Sequence, residues 1–184
     1  MSASLLFIVA SLREGSLNAQ LARHAERLVA GRAQVGYLDY ADVPLMNQDV
    51  EYPAPPAVAR VRAEVMSADG IWIFSPEYNH QVPGTLKNLL DWLSRPLVEG
   101  DRGGATAIEG TPVTFCSAAG RSAGAGCLSQ LDALLTVIGA RVMAEGAVGV
   151  AMGAREFTTG VLELQEETRG ALESQLEAFL EFIG

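Results

Sequence analysis

Short apolar runs alternate along the chain with longer stretches in which apolar residues recur every three or four positions. The runs have the length of strands, and the stretches are typical of helices that pack on one side. The predicted strands are 4–10, 34–39, 70–74, 112–116 and 146–150, and the predicted helices are 16–30, 56–67, 84–94, 123–139 and 166–183. Five strand–helix units in succession predict an α/β fold with a parallel sheet and helices on both faces.

The pattern also predicts where individual elements lie. Residues 34–39 are half polar, which favours an edge strand. The leucines of 84–94 follow helical spacing and are interpreted as core or subunit contacts. We find no repeat, low-complexity tract or composition shift that marks a boundary, so residues 1–184 are predicted to form a single domain.

Composition narrows the functional classes. Although 49% of the residues are hydrophobic, no apolar run approaches the roughly 18 residues of a membrane-spanning helix. The first apolar run has no basic segment before it and is interpreted as a strand, not a signal peptide. The net charge of −9 argues against nucleic acid or an anionic membrane as a partner. We therefore expect a cytoplasmic protein that acts on small molecules.

Metal and thiol chemistry are not expected. Cys116 and Cys127 lack the spacing of a metal-ligand or redox pair, and both are interpreted as small core residues. The two histidines, His24 and His80, are too few for a histidine-based metal site. His80 is of interest only because of its position in a turn.

A polar turn, residues 11–18, separates the first strand from the first helix. Its hydroxyl groups and Arg13 stand at a helix N-terminus, where backbone N–H groups and the helix dipole favour an anion. The turn could equally be an ordinary connection in which Ser16 caps the helix. On this segment alone both explanations remain open.

Two further turns follow the third and fourth strands. Residues 75–80 bring a proline, a carboxylate, an aromatic ring, an amide and an imidazole together, and residues 117–126 are rich in glycine, alanine and serine. The small residues either let a ligand approach the backbone or let a helix pack closely on the sheet. All three turns follow strands of one parallel sheet, so they are expected to meet at its carboxyl edge, where such folds bind ligands.

The chain resembles the NAD(P)H-dependent FMN reductases, a flavodoxin-like group that includes chromate- and quinone-reducing enzymes and some azoreductases. The resemblance rests on residues 11–18 and on the long, specific block 75–92, and more loosely on the third turn. It implies a three-layer sandwich with a five-stranded parallel sheet of order 2-1-3-4-5, the order known for flavodoxin.

The resemblance also implies a cofactor, FMN, and a set of residues that bind it. In the first turn these residues, which hold the phosphate and its surroundings, are Ser11, Arg13, Ser16, Leu17 and Asn18. Those expected against the isoalloxazine ring or the ribityl chain are Pro76, Glu77, Tyr78, Asn79, Ser117 and Gly120. Family members are typically dimers or tetramers, which implies a homo-oligomer here.

Two departures from the family pattern stand out. Ala10 occupies a position where the family often has glycine, and residues 95–110 are longer than is usual before the fourth strand. The interface residues of the family are therefore not assigned to positions 95–110.

The residues are consistent with such a cofactor. One arginine cannot neutralise a dianionic phosphate, so hydroxyl groups and backbone N–H groups must contribute. The flavin supplies the redox chemistry, and no side chain is expected to act as nucleophile, acid or base. NADPH or NADH would be the electron donor, and a quinone or similar small molecule the acceptor. A flavodoxin-type electron carrier and a non-catalytic flavin-binding regulator remain alternatives.

For two side chains of the second turn, two alternative roles remain. The Glu77 carboxylate either faces the ring or points away and caps the following turn. Tyr78 is either a wall for the ring or an aromatic residue of a subunit interface.

Overall fold

The computed structural model describes residues 2–184 and places a parallel β-sheet between two layers of helices. The strands are β1 Ala3–Val9, β2 Ala33–Tyr37, β3 Gly70–Phe74, β4 Pro112–Ala119, β5 Arg141–Val142 and β6 Val148–Ala151. The helices are α1 Leu17–Val29, α2 Pro56–Ser67, α3 Gly84–Leu93, α4 Ala125–Val137, α5 Ala154–Thr159 and α6 Glu166–Ile183, with a 3₁₀ turn at Gln48–Val50.

The strand order is β2-β1-β3-β4-β5, and β6 also pairs with β4. All of these pairings are parallel. The predicted flavodoxin-like order is therefore confirmed, and the half-polar strand β2 lies at the edge, as its sequence indicates.

Two hydrophobic layers flank the sheet because successive strand side chains point to opposite faces. On one face Leu5, Phe7 and Trp72 pack with α1 and α6. On the other face Ile8 and Ile73 pack with the second, third and fourth helices. This division produces the predicted three-layer arrangement.

The fifth strand position is divided, which the sequence pattern did not predict. β5 pairs with the start of β4 at Pro112 and Val113, and β6 pairs with its end, from Cys116 to Ala119. A short turn at 144–147 separates the two, closed by a hydrogen bond from Ala147 N to the Ala144 carbonyl (3.1 Å). The predicted strand 146–150 corresponds mainly to β6.

The sequence pattern also failed to predict two short helical segments, the 3₁₀ turn at Gln48–Val50 and helix α5. Helix α5 has only six residues, too few for a periodic apolar pattern. Its ends carry local signals: the Glu156 carboxylate accepts a hydrogen bond from Gly153 N at 2.8 Å, and Gly160 ends the helix with φ of +67°. These two signals could have identified it.

Both cysteines are buried and free, as core residues should be. Burial raises the pKa of Cys116 to about 12, so its thiol is not poised for nucleophilic chemistry. No group of three or more metal-ligating side chains is assembled within residues 2–184. No helix in that range has both the length and the apolar character needed to cross a bilayer.

Candidate functional site

A cleft opens at the carboxyl edge of the sheet. Its walls come from the three predicted turns and from the segment that follows β6. The lining residues are Ser11, Arg13, Ser16, Leu17, Asn18, Pro76, Glu77, Tyr78, Ala118, Ala119, Gly120, Met152 and Phe157. Nine of the eleven residues predicted for cofactor binding line it, and Asn79 and Ser117 do not.

The first turn presents a helix N-terminus to the cleft. Ser16 is the N-cap of α1, and its hydroxyl accepts a hydrogen bond from Ala19 N at 3.2 Å. The N–H groups of Leu17 and Asn18 lie in the first turn of the helix, where no carbonyl stands one turn earlier to accept them. The capping role considered for Ser16 is thus present, and it leaves two backbone donors at an anion-favouring end.

Arg13 is the only cationic side chain among the lining residues. Its side chain is exposed and forms no ion pair with a carboxylate within residues 2–184. Its guanidinium lies beside Gly15, where an added Cβ would be 3.7 Å from Arg13 Nε. The turn therefore offers one unpaired cation next to the helix N-terminus.

The Asn18 side chain is fully used within the protein. Its amide nitrogen donates to the Ala118 carbonyl and its amide oxygen accepts from Ala118 N, both at 2.9 Å, and the residue is only 3% exposed. This pair of bonds ties the first turn of α1 to the end of β4. With its side chain engaged in this way, Asn18 presents its backbone N–H to a ligand.

The second turn is a tight hairpin that carries Tyr78. Tyr78 and Gln81 exchange backbone hydrogen bonds of 3.2 and 3.0 Å, and Asn79 and His80 between them both have positive φ. This geometry is typical of a two-residue hairpin turn. It places Asn79 at the exposed tip, outside the lining, whereas Pro76 is buried and Tyr78 is 54% exposed.

Glu77 lines the cleft, but its carboxylate is engaged by the protein and its side chain is only 5% exposed. It accepts hydrogen bonds from the Ser122 hydroxyl at 2.6 Å and from Cys127 N at 2.9 Å. The Ser122 hydroxyl, aided by the N–H groups of Cys127 and Gly126, holds the pKa of Glu77 below its ordinary value despite burial. Of the two roles considered for Glu77, capping is observed, but the helix it caps is α4.

The third turn brings backbone, not side chains, to the cleft. Gly120 lines it together with Ala118 and Ala119. Ser117 is fully buried and donates to the Ser75 carbonyl at 2.7 Å, and it does not line the cleft. Gly124 has φ of +79°, and a Cβ there would collide with the Ser117 side chain, which explains glycine at that position.

Sequence reasoning missed four lining residues, Ala118, Ala119, Met152 and Phe157. Phe157, on α5, is 59% exposed, which is unusual for a large apolar side chain. The sequence signal for Met152 was its position directly after the fifth strand position, at the same edge as the three turns. Ala118 and Ala119 lie in the small-residue turn 117–126, which was predicted as a possible ligand contact although neither alanine was named as a binding residue.

The lining of the cleft combines polar donors with apolar residues. Arg13, two serines and a helix N-terminus suit an anionic group. Pro76, Tyr78 and Met152 suit a flat apolar group, and the small residues Ala119 and Gly120 let it approach the strand end closely. This donor set fits FMN, which has a phosphate at one end and a planar ring at the other.

Comparison with known proteins agrees with this geometry. Residues 3–155 match the family described as NADPH-dependent FMN reductase. The chain belongs to that family. It is 35% identical over 182 residues to a quinone reductase of Escherichia coli, with 96% of this chain and 93% of the relative covered. It is 32% identical over 174 residues to an NAD(P)H-dependent FMN reductase of Pseudomonas aeruginosa, with 94% and 91% covered.

A solved structure also resembles the whole chain. It is the flavoenzyme NAD(P)H:acceptor oxidoreductase FerB of Paracoccus denitrificans, with a TM-score of 0.84, 27% identity, and 98% of this chain and 97% of that chain covered. Together these findings confirm the predicted family, the oxidoreductase class, and FMN with NAD(P)H as the cofactor and co-substrate.

Proposed function

We propose that this protein is an FMN-dependent oxidoreductase that passes electrons from NAD(P)H to quinones or chemically similar small acceptors. The observation that carries the proposal is the cleft itself, in which three separate turns place anion donors and a flat apolar wall at one sheet edge. Family membership supports the cofactor, and the relative named quinone reductase supports the acceptor class.

In this proposal the first turn holds the FMN phosphate. Arg13 supplies the positive charge, Ser11 and Ser16 supply hydroxyl groups, and Leu17 and Asn18 supply backbone N–H groups. Several donors are needed because one guanidinium does not balance a dianion, and the helix N-terminus contributes the rest of the favourable potential.

The second and third turns would hold the ring end. Pro76 and Tyr78 form the wall, Asn79 lies at the rim, and Gly120 provides a backbone surface without a side chain in the way. Glu77 shapes this wall without touching the ligand, because its carboxylate fixes the turn to α4. When bound, the flavin supplies the hydride-accepting and electron-donating chemistry, so no side-chain nucleophile is required.

Tyr78 and Phe157 border the same opening, and we expect donor and acceptor to occupy it in turn. Initial rates measured with NADPH or NADH and a small quinone test this, and we expect parallel double-reciprocal lines. Intersecting lines would mean that donor and acceptor bind together. Oxidation of NAD(P)H with no partner reductase present separates this enzyme from an electron carrier, which would need one.

Flavin binding is tested first, by the absorption spectrum of the protein reconstituted with FMN. We expect flavin bands that bleach on anaerobic addition of NADPH or NADH. Bands that form but never bleach with either donor would favour a carrier or a regulator. Failure to bind FMN would overturn the assignment of the first turn.

A homo-oligomer, dimer or tetramer, is the expected assembly. Leu12, Tyr78 and Phe157 are each more than half exposed, and they come from three segments around one cleft. Exposed apolar groups clustered in this way are typical of a contact surface. Light scattering combined with size-exclusion chromatography checks the assembly. We place the protein in the cytoplasm, where nicotinamide donors are regenerated, and cell fractionation checks the location.

A further inference from the structure

A second concave feature lies between α1 and the start of α6, away from the cleft. Its lining residues are His24, Arg27, Leu28, Leu164 and Arg169. We call it the α1/α6 notch. It shares no lining residue with the cleft. His24 is six residues along α1 from Asn18, which corresponds to about 9 Å along the helix axis.

The notch is basic on a protein whose net charge is −9. Arg27 and Arg169 reach it from two different helices, and Arg23 lies close enough to influence His24. None of these three arginines forms an ion pair with a carboxylate within residues 2–184, whereas Arg32, Arg60, Arg95 and Arg155 all do. Three unpaired guanidinium groups close together repel one another, and a bound anion would relieve this repulsion.

His24 fixes the position of one of these groups. Arg27 donates from a terminal guanidinium nitrogen to His24 Nδ1 at 2.8 Å, which requires a neutral ring with Nδ1 as acceptor. Burial and the neighbouring arginines lower the pKa of His24, so the neutral ring is the favoured form. A guanidinium held by an uncharged partner keeps its charge and most of its donors available to a ligand.

Carboxylates flank the notch in sequence, among them Glu166, Glu167 and Glu173 on α6, but none within residues 2–184 forms an ion pair with Arg27 or Arg169. Glu26 accepts a hydrogen bond from the Tyr37 hydroxyl at 2.9 Å. Glu163 pairs with Arg155 at 2.8 Å. The floor is apolar, since Leu28 is partly buried and Leu164 is 8% exposed.

From these observations we propose that the α1/α6 notch is a second anion-binding site, which takes a phosphate monoester with its phosphate between Arg27 and Arg169. Guanidinium forks match phosphate oxygens, and the leucine floor can accept a small apolar or planar substituent. No residue of the notch borders the flavin cleft, and the proposal relies on the proposed function only in its test, which uses FMN-loaded protein.

The two histidines of the chain make this site easy to observe. We would label the histidine rings, load the protein with FMN so that the first turn is filled, and follow both rings by NMR during titration with inorganic phosphate and with phenyl phosphate. His80→Gln assigns the two signals. Chloride at matched ionic strength and malonate test whether any response is specific for phosphate.

We expect a saturable shift of the His24 signal and no saturable shift of His80. In the double variant Arg27→Gln/Arg169→Gln the half-saturating concentration should rise about tenfold or more, as loss of charge-assisted bonds predicts. Arg102→Gln, an exposed arginine in the loop 95–110, is the matched control and should leave the titration unchanged. Retained FMN absorbance in each variant shows that the fold is intact.

Three results would overturn the proposal: no saturable His24 response, an equal response to chloride, or an undiminished response in the double variant. Two further titrations, with adenosine 2′-monophosphate and adenosine 5′-monophosphate, identify the natural source of the phosphate. Adenosine 2′-monophosphate binding more tightly than adenosine 5′-monophosphate would support the site and point to the 2′-phosphate of NADPH. Similar affinity for both would support it as a site for free phosphate monoesters.

Discussion

The turn after β1 and the turn after β3 both border the cleft, yet they use their polar groups in opposite ways. In the first turn Arg13 has no carboxylate partner and the N–H groups of Leu17 and Asn18 have no intrahelical acceptor. In the second turn the Glu77 carboxylate is satisfied by α4. The comparison teaches that a polar side chain at a ligand-binding edge contributes to binding directly only when the fold has not already used its hydrogen-bonding groups.

The largest effect on stability is expected for a substitution of Asn18. This residue lies in the first turn, but its side chain, like the Glu77 carboxylate of the second turn, is already hydrogen-bonded within the protein. Asn18→Ala would leave both the N–H and the carbonyl of Ala118 without partners in a buried setting. We expect the free energy of unfolding to fall by about 2–4 kcal/mol. Urea unfolding of the apoprotein measures this loss.

Asn88→Ala is the matched control. The Asn88 side chain accepts from Met46 N at 2.7 Å and donates to the Pro44 carbonyl at 2.9 Å, so it makes the same kind of paired contact far from the cleft. It is less buried, and we expect a smaller loss of stability with unchanged FMN affinity. If Asn18→Ala kept its stability but lost FMN, Asn18 would be a direct ligand and the comparison would fail.

Arg13→Ala tests the first turn, in which the polar groups remain available to a ligand. We expect FMN binding to weaken by about 1.5–3 kcal/mol, the range for a charge-assisted hydrogen bond, with no change in the stability of the apoprotein. Fluorescence titration of apoprotein with FMN measures the affinity. Arg102→Ala, which removes an exposed arginine elsewhere, should bind FMN normally. Unchanged affinity in Arg13→Ala would mean that the hydroxyl and backbone donors suffice.

Glu77→Gln tests the second turn, in which the carboxylate is already hydrogen-bonded within the protein. We expect a loss of about 1–2 kcal/mol in the free energy of unfolding, since a charged acceptor becomes a neutral one, and a smaller effect on FMN affinity. Because the pKa of Glu77 is lowered in the folded state, its contribution is present above the unfolded pKa and is lost as pH falls through the folded pKa.

The pH dependence supplies the check. Between about pH 6 and pH 3 the wild-type protein should lose more stability than Glu77→Gln, which no longer titrates at that position. Glu51→Gln, at a buried carboxylate bonded to Arg95 at 2.7 Å, serves as a control that should not alter flavin binding. Equal pH profiles for wild type and Glu77→Gln would contradict the capping role.

The smallest effect is expected for Tyr78→Ala. The ring is half exposed and stands at the opening, so it should assist the incoming donor or acceptor more than the flavin. We expect turnover to fall by roughly two- to tenfold, as the loss of an aromatic contact of about 0.5–1.5 kcal/mol predicts, with a smaller change in FMN affinity. Steady-state rates and flavin content from one preparation decide this. Complete loss of flavin would place Tyr78 against the cofactor.

Sequence patterns predicted the parallel sheet and the meeting of three turns, because apolar runs and helical spacing are local signals. The order of the strands was implied only by the family resemblance. They could not predict the partners of polar side chains. Glu77 meets Ser122 and Cys127, 45 and 50 residues further along the chain, and nothing near Glu77 in sequence announces them. The partner of the Ser117 hydroxyl is equally distant in sequence, since it donates to the carbonyl of Ser75, which lies 42 residues earlier.

The break between β5 and β6 has a consequence for protein engineering. Met143 N bonds to the Val113 carbonyl at 2.8 Å, and Met152 N bonds to the Ala119 carbonyl at 2.7 Å, so the chain is anchored to β4 on each side of the break. Glu145 and Gly146 between them are exposed. A short insertion or a reporter tag placed there would extend into solvent while β6 keeps its register. The chain can therefore be opened or lengthened at this point without displacing Met152 from the cleft.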